Sequence, residues 1–151
     1  MDDERYMREA LAEAAEAARL GDVPVGCVIV KGGEIIARAR NERCLRKNAV
    51  CHAEMLAIWA ACEYVGDWRL EGTGLYVTAE PCPMCAGAIV QARIPRVVFG
   101  APSPKAGACG SILNILQEPR LNHRASVTAG VLADEAAGMM REFFGKFRKD
   151  G

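Results

Sequence analysis

The sequence predicts an α/β fold in which helices cover both faces of one mixed sheet. Three observations predict it. Short β-branched runs alternate with stretches of helical periodicity along the 151 residues, as they do when strand–helix units share a sheet. The run Val25-Gly26-Cys27-Val28-Ile29-Val30 is apolar throughout and flanked by turn residues, so it reads as a buried strand. Lys31-Gly32-Gly33-Glu34 follows it as a hairpin turn, which makes one strand pair antiparallel and the sheet mixed.

The elements follow in order. Residues 3–20 form a helix, with Tyr6, Met7, Leu11, Ala14, Ala15 and Ala18 at helical spacing and Gly21 to end it. The hairpin strands cover 25–30 and 35–40. Residues 41–50 are polar and irregular and read as a loop. His52 opens a helix whose apolar side is expected to hold Met55, Leu56, Ile58, Trp59 and Cys62. Residues 66–74 form a loop anchored by Trp68 and Leu70. A third strand covers 75–78. Pro83 suits a first helical position behind Cys82 as N-cap, giving a helix over 83–92. A fourth strand covers 96–100, a Gly/Pro/Ala-rich loop 101–110, a short helix 111–117, a short fifth strand 126–128, and a last helix 134–149.

Length and composition fit one soluble domain over residues 1–151 with a real core: 51% hydrophobic and 25% charged residues. The apolar runs are too short to span a bilayer. The acidic start Met1-Asp2-Asp3-Glu4 lacks the layout of a secretory signal. Seven cysteines, two of them in a Cys-x-x-Cys, favour a reducing compartment over a disulfide framework. The expected location is cytoplasmic. Net charge is zero, so nucleic acid is not implied by bulk charge. Its distribution allows a basic footprint: Arg93, Arg96, Lys105, Arg120 and Arg124, then Arg141, Lys146, Arg148 and Lys149 in the tail. A solvated surface is the plainer reading of such charges.

Chemistry concentrates in Cys51-His52-Ala53-Glu54 and Glu80-Pro81-Cys82-Pro83-Met84-Cys85. The pattern His-x-Glu followed by Pro-Cys-x-x-Cys is that of zinc-dependent nucleobase deaminases. His52, Cys82 and Cys85 supply three zinc ligands, and three protein ligands leave the fourth position open, the catalytic arrangement. Both motifs fall at helix starts, whose free N–H groups and partial positive charge favour thiolates. Glu54 is the carboxylate that moves protons. On a regular helix it would point about 200° from His52, but a first turn leaves room for it to reach the open position. A structural Cys₃His site would need Cys51 as well. Cys27, Cys44, Cys62 and Cys109 are most simply small hydrophobes. His123 reads as a structural or surface residue. Phe143, Phe144 and Phe147 are expected mostly in the core, although aromatics among Lys146, Arg148 and Lys149 also suit stacking on single-stranded bases.

These segments resemble the bacterial tRNA adenosine deaminases of the TadA type. The resemblance is carried by Cys51-His52-Ala53-Glu54, by Leu75-Tyr76-Val77-Thr78-Ala79-Glu80-Pro81-Cys82-Pro83-Met84-Cys85-Ala86-Gly87-Ala88, and by Arg96-Val97-Val98-Phe99-Gly100-Ala101. Val23-Pro24-Val25-Gly26 and Gly107-Ala108-Cys109-Gly110-Ser111 add to it. It runs from about Tyr6 to Arg148. The zinc motifs alone fit the whole cytidine deaminase-like superfamily; the surrounding segments select the branch. The resemblance implies a three-layer α/β/α fold with a sheet of about five strands, a homodimer and one zinc per subunit. It also implies deamination of adenosine to inosine at the wobble position of a tRNA anticodon stem-loop. By the same matching, Asn41 bonds the flipped base or its ribose, Val23 lines the pocket, and Phe144, Arg148 and Lys149 meet RNA. Ser103 stands where this branch usually has Asp near the ribose, which bears on selectivity for RNA over DNA. Cys51 and Ala79 also depart from the usual pattern.

Two other readings stand beside this one. The chain could deaminate a free base or nucleoside such as guanine or cytosine, or act on single-stranded DNA. It could also be a zinc-stabilised binding module, which would have no use for an acid–base carboxylate at Glu54.

Overall fold

The computed structural model describes residues 2–150, with side chains described through residue 146. One five-stranded sheet runs in the order β2-β1-β3-β4-β5. Its strands are β1 (Gly26–Lys31), β2 (Glu34–Arg40), β3 (Thr73–Ala79), β4 (Arg96–Ala101) and β5 (Ser126–Ala129). β1 is antiparallel to both β2 and β3, while β3, β4 and β5 are parallel. The sheet is therefore mixed, as the early hairpin predicts. The hairpin turn itself needs positive φ at two successive residues, and Gly32 and Gly33 supply +59° and +80°.

Alternation along the strands divides the core in two. Cys27, Ile29, Leu75, Val77, Val97 and Phe99 face one side, with α3 (Ala53–Val65) and α4 (Pro83–Gln91). Val28, Val30, Tyr76 and Val98 face the other, with α1 (Asp3–Arg19) and α5 (Ala133–Asp150). This is the three-layer α/β/α arrangement, and it explains why β1 is uncharged and buried from Gly26 to Val30: both faces are covered. Gly26 shows how closely α1 lies. A Cβ there would come within 1.9 Å of the Ala10 carbonyl oxygen, so only glycine fits.

Arg96 fastens α1 to the sheet. Its guanidinium donates to both carboxylate oxygens of Asp3, at 2.8 and 2.7 Å, and the Tyr76 hydroxyl donates to Asp3 at 2.9 Å. The Arg96 hydrogen bonds hold the Asp3 carboxyl below its usual value, and burial followed by the bond to Asp3 pushes Tyr76 up to about 12. Arg96 is thus a structural cation and leaves the basic footprint. Arg120 is paired with Glu118.

Four expectations change. Residues 41–50 contain a short helix, α2 (Arg43–Arg46). Residues 111–117 hold only a 3₁₀ turn, Ile115–Gln117. Trp68 does not anchor its loop; it stands exposed under the guanidinium groups of Arg69 and Arg93, while Leu70 is fully buried. On α3 the buried face is Ala53, Glu54, Ala57 and Ala61, and Trp59 is 71% exposed. That helix is apolar nearly all round, so periodicity does not select a face. Its alanines permit close approach to β1 and β2, and the bulky side chains are left at the flanks and outside. His123 is structural, with Nε2 2.7 Å from the Ile94 carbonyl oxygen.

Candidate active site

Two helix starts meet beyond the carboxyl ends of β2 and β3, and they carry the motif residues. His52 is the N-cap of α3 and Cys82 the N-cap of α4; both have extended backbones, at φ −75°, ψ 153° and φ −76°, ψ 173°. Neither side chain caps its own helix, so both are available to a ligand. Pro83 at the first helical position sets the φ that starts α4 and has no N–H to leave unbonded. Cys85 then falls within the first turn beside Cys82. Because His52 lies outside the helix proper, the 100° rotation per residue does not separate it from Glu54, and both line one pocket.

His52 Nδ1 lies 3.6 Å from Cys82 Sγ and 3.6 Å from Cys85 Sγ. The three ligand atoms all fall within 4.8 Å of one another, the one such metal-type cluster of His, Cys, Asp and Glu among the described residues. A zinc ion bonded in a tetrahedron to nitrogen at about 2.0 Å and sulfur at about 2.3 Å holds those atoms about 3.5 Å apart. The donor set and its spacing therefore fit zinc. Cys51 is buried but outside the cluster.

The electrostatics follow the contacts. The hydrogen bond from Cys85, then that with His52, holds Cys82 down at about 4, and the same Cys82 contact raises His52. Cys85 is pushed up, by its bond to Cys82 first and then by burial. Thiolate, thiol and imidazole thus share protons that a divalent cation would displace. Glu54 is 4% exposed, and burial pushes its carboxyl up to about 7.

The pocket holds about 260 Å³. Glu54, His52 and Cys82 form its floor. Val23, Asn41 and Arg43 form one wall, Ser103 and Ala106 a second, and Met140 and Phe144 of α5 a third. Asn41 is buried, and its Oδ1 accepts from the Arg43 N–H at 3.1 Å, so its NH₂ is the group left for a ligand. Ser103 donates its hydroxyl to the Glu80 carbonyl oxygen at 3.3 Å. Phe144 is 44% exposed, whereas Phe143 is buried and meets it edge-on. Arg148 belongs to α5, but its side chain, like those of Phe147 and Lys149, lies outside the described residues. A larger groove of about 520 Å³ runs between α1 and α5 and shares no lining residue with this pocket.

Sequence reasoning missed Arg43, Met140 and Ala106 in the lining. It also missed two buried carboxylates at the walls, Asp22 behind one and Glu80 in the lining of another. Asp22 accepts from the N–H groups of Val23, Cys44 and Leu45 at 2.9, 2.9 and 3.1 Å. The signal for Asp22 is an acidic residue just past a helix C-terminus, where the helix dipole disfavours negative charge. Glu80 offered none beyond its place in the motif.

A family profile described as MafB19-like deaminase matches residues 1–148. The chain is 55% identical to the tRNA-specific adenosine deaminase of Bacillus subtilis (strain 168), over 97% of this chain and 91% of that one. It is 49% identical to the tRNA-specific adenosine deaminase of Streptococcus pyogenes serotype M18, over 95% and 91%. Its fold superposes with a TM-score of 0.86 on a structure solved in work on A-to-I editing by tRNA:A34 deaminases at the wobble position of transfer RNA. That match is 41% identical and covers 89% of this chain and 98% of the other. The chain belongs to this deaminase family, among its tRNA-specific adenosine deaminases.

Proposed function

We infer that this protein converts adenosine to inosine at the wobble position of a tRNA anticodon loop by hydrolytic deamination. The observation that carries the chemistry is the buried Glu54 carboxyl lining the same pocket as His52 and Cys82. The substrate follows from the relatives, which are named for tRNA and for editing at the wobble position.

His52, Cys82 and Cys85 would hold one zinc ion. When bound, it supplies the positive charge that lets a water in the pocket ionise near neutral pH. Glu54 accepts a proton from the attacking water as its oxygen bonds the amino-bearing ring carbon, and delivers that proton to the adjacent ring nitrogen. It then carries the hydroxyl proton to the amino group. The carbon–nitrogen bond breaks, ammonia leaves, and inosine remains in its keto form. Asn41 offers its NH₂ to the flipped base or its ribose, and Val23 packs against the base. Phe144 gives a neighbouring base an aromatic face, and Arg148, four residues further along α5, is assigned to phosphate. Ser103 sits in the wall where a 2′-hydroxyl would be read.

The cytoplasmic reading rests on the seven cysteines, all free; no helix among the described residues is long and apolar enough to cross a membrane. A homodimer is what the resemblance to the tRNA adenosine deaminases implies; a single-chain mass by light scattering would contradict it.

The test is a stem-loop with A at the wobble position, assayed for inosine beside free guanine, cytosine and adenosine. Inosine from the stem-loop is expected. Turnover of a free base with none of the stem-loop would overturn the assignment.

A further inference from the structure

Glu80 stands two residues before a metal-ligating cysteine, yet its side chain does not turn toward that cluster. It is 4% exposed, and both carboxylate oxygens are spent on the loop that follows β4. Oε1 accepts from the Ser103 N–H at 3.1 Å and from the Ser111 hydroxyl. Oε2 accepts from the Cys109 N–H at 2.9 Å and the Ser111 N–H at 3.0 Å. Four donors fill two oxygens, and they come from the two ends of a segment otherwise rich in Gly, Pro and Ala. Gly107 completes the fit: a Cβ there would lie 2.3 Å from the carboxylate carbon, so only a glycine lets the loop close on it. The backbone returns the contact, with Glu80 N–H donating to the Ala101 carbonyl at 2.9 Å and the Ser103 hydroxyl donating to the Glu80 carbonyl.

We propose that Glu80 is a positioning residue that clamps the 102–111 loop as a wall of the substrate pocket and so sets substrate binding rather than the chemical step. Glu80, Ser103 and Ala106 all line that pocket. A loop with so few bulky side chains has little apolar area of its own to fix it, and charge-assisted bonds to its N–H groups take that part. A wall touches substrate and transition state alike, so its loss raises KM and leaves kcat nearly unchanged. The kinetic arm rests on the deaminase reading; the exchange arm below does not.

The experiment compares wild type, Glu80→Gln and Gly107→Ala as metal-loaded full chains. Gln replaces one acceptor oxygen by a donor that faces at least one N–H whichever way the amide turns, and Ala drives a methyl into an intact carboxylate. Both variants are expected to keep one metal per chain, to lose amide-exchange protection at 103–111, and to raise KM for the stem-loop by about tenfold or more, with kcat changed by less than about threefold. Unchanged protection in both variants would overturn the clamp. Lost metal, or a fall in kcat at constant KM, would overturn it too, by showing that Glu80 serves the cysteine helix. If wild type makes no inosine at all, the assigned reaction fails while the exchange data still decide the clamp.

Discussion

The floor and the walls of the pocket are built by different means. The floor is two helix starts, where the backbone sets His52, Glu54, Cys82 and Cys85 within a few residues of two N-caps. The walls are long, irregular segments. Each loop wall is fixed by one buried carboxylate reaching backbone N–H groups far along the chain: Asp22 to Cys44 and Leu45, Glu80 to Ser103, Cys109 and Ser111. The third wall, α5, presents Met140 and Phe144, and no buried carboxylate among the described residues clasps it. Chemistry here is local in sequence, and recognition is assembled over distance. Floor changes should therefore appear in kcat, and wall changes in KM.

The sharpest division comes from Glu54→Ala. With metal retained, kcat is expected to fall by roughly a thousandfold or more, since a positioned acid–base group contributes that much; metal loss on assay would make Glu54 a ligand and erase the distinction. Asp22→Asn acts on a wall. It turns one acceptor into a donor against partly buried N–H groups, costing about 1–3 kcal/mol in stability by denaturant titration, and raises KM for the stem-loop with kcat held. Equal stability would show that α2 needs no clasp. Phe144→Ala removes one aromatic face and should raise KM about tenfold, in keeping with base stacking worth about 1–3 kcal/mol. An unchanged KM would take α5 out of the RNA contact.

The smallest effect lies outside the pocket and serves as its control. Asp3→Asn breaks the clasp of Arg96 and should cost about 1–2 kcal/mol near neutral pH without altering KM. The folded Asp3 carboxyl lies below its usual value. Its contribution is therefore present above the unfolded carboxyl's value of about 3.9 and is lost as pH falls through the folded one. The gap between wild type and variant, followed by thermal unfolding, should narrow below about pH 4. A gap that persists there would mean the effect is not ionic.

This division also governs what was readable beforehand. His52, Glu54, Cys82 and Cys85 were legible because side-chain type at fixed spacing, with Pro83 to start a helix, states the floor almost completely. The hairpin, the buried strands and the layer order were legible for the same local reasons. Residues 111–117 were not. Their helical pattern yields because Ser111 is spent on Glu80 and Cys109 bridges Asn114, contacts set by a residue thirty positions earlier. On α3, apolar residues all round hid the face, and alanine spacing decided it. Arg96 reads from the sequence as a free cation because its partner, Asp3, lies 93 residues away.

The most direct measurement is the fate of oxygen in the product. The metal-loaded protein is incubated with the wobble-A stem-loop in heavy-oxygen water, and the nucleosides are weighed. One heavy oxygen in the base of each inosine, with one ammonia released, is the predicted result. Inosine without the label, or no inosine while the metal is bound, would contradict the assignment of Glu54 to water-driven deamination of that adenosine.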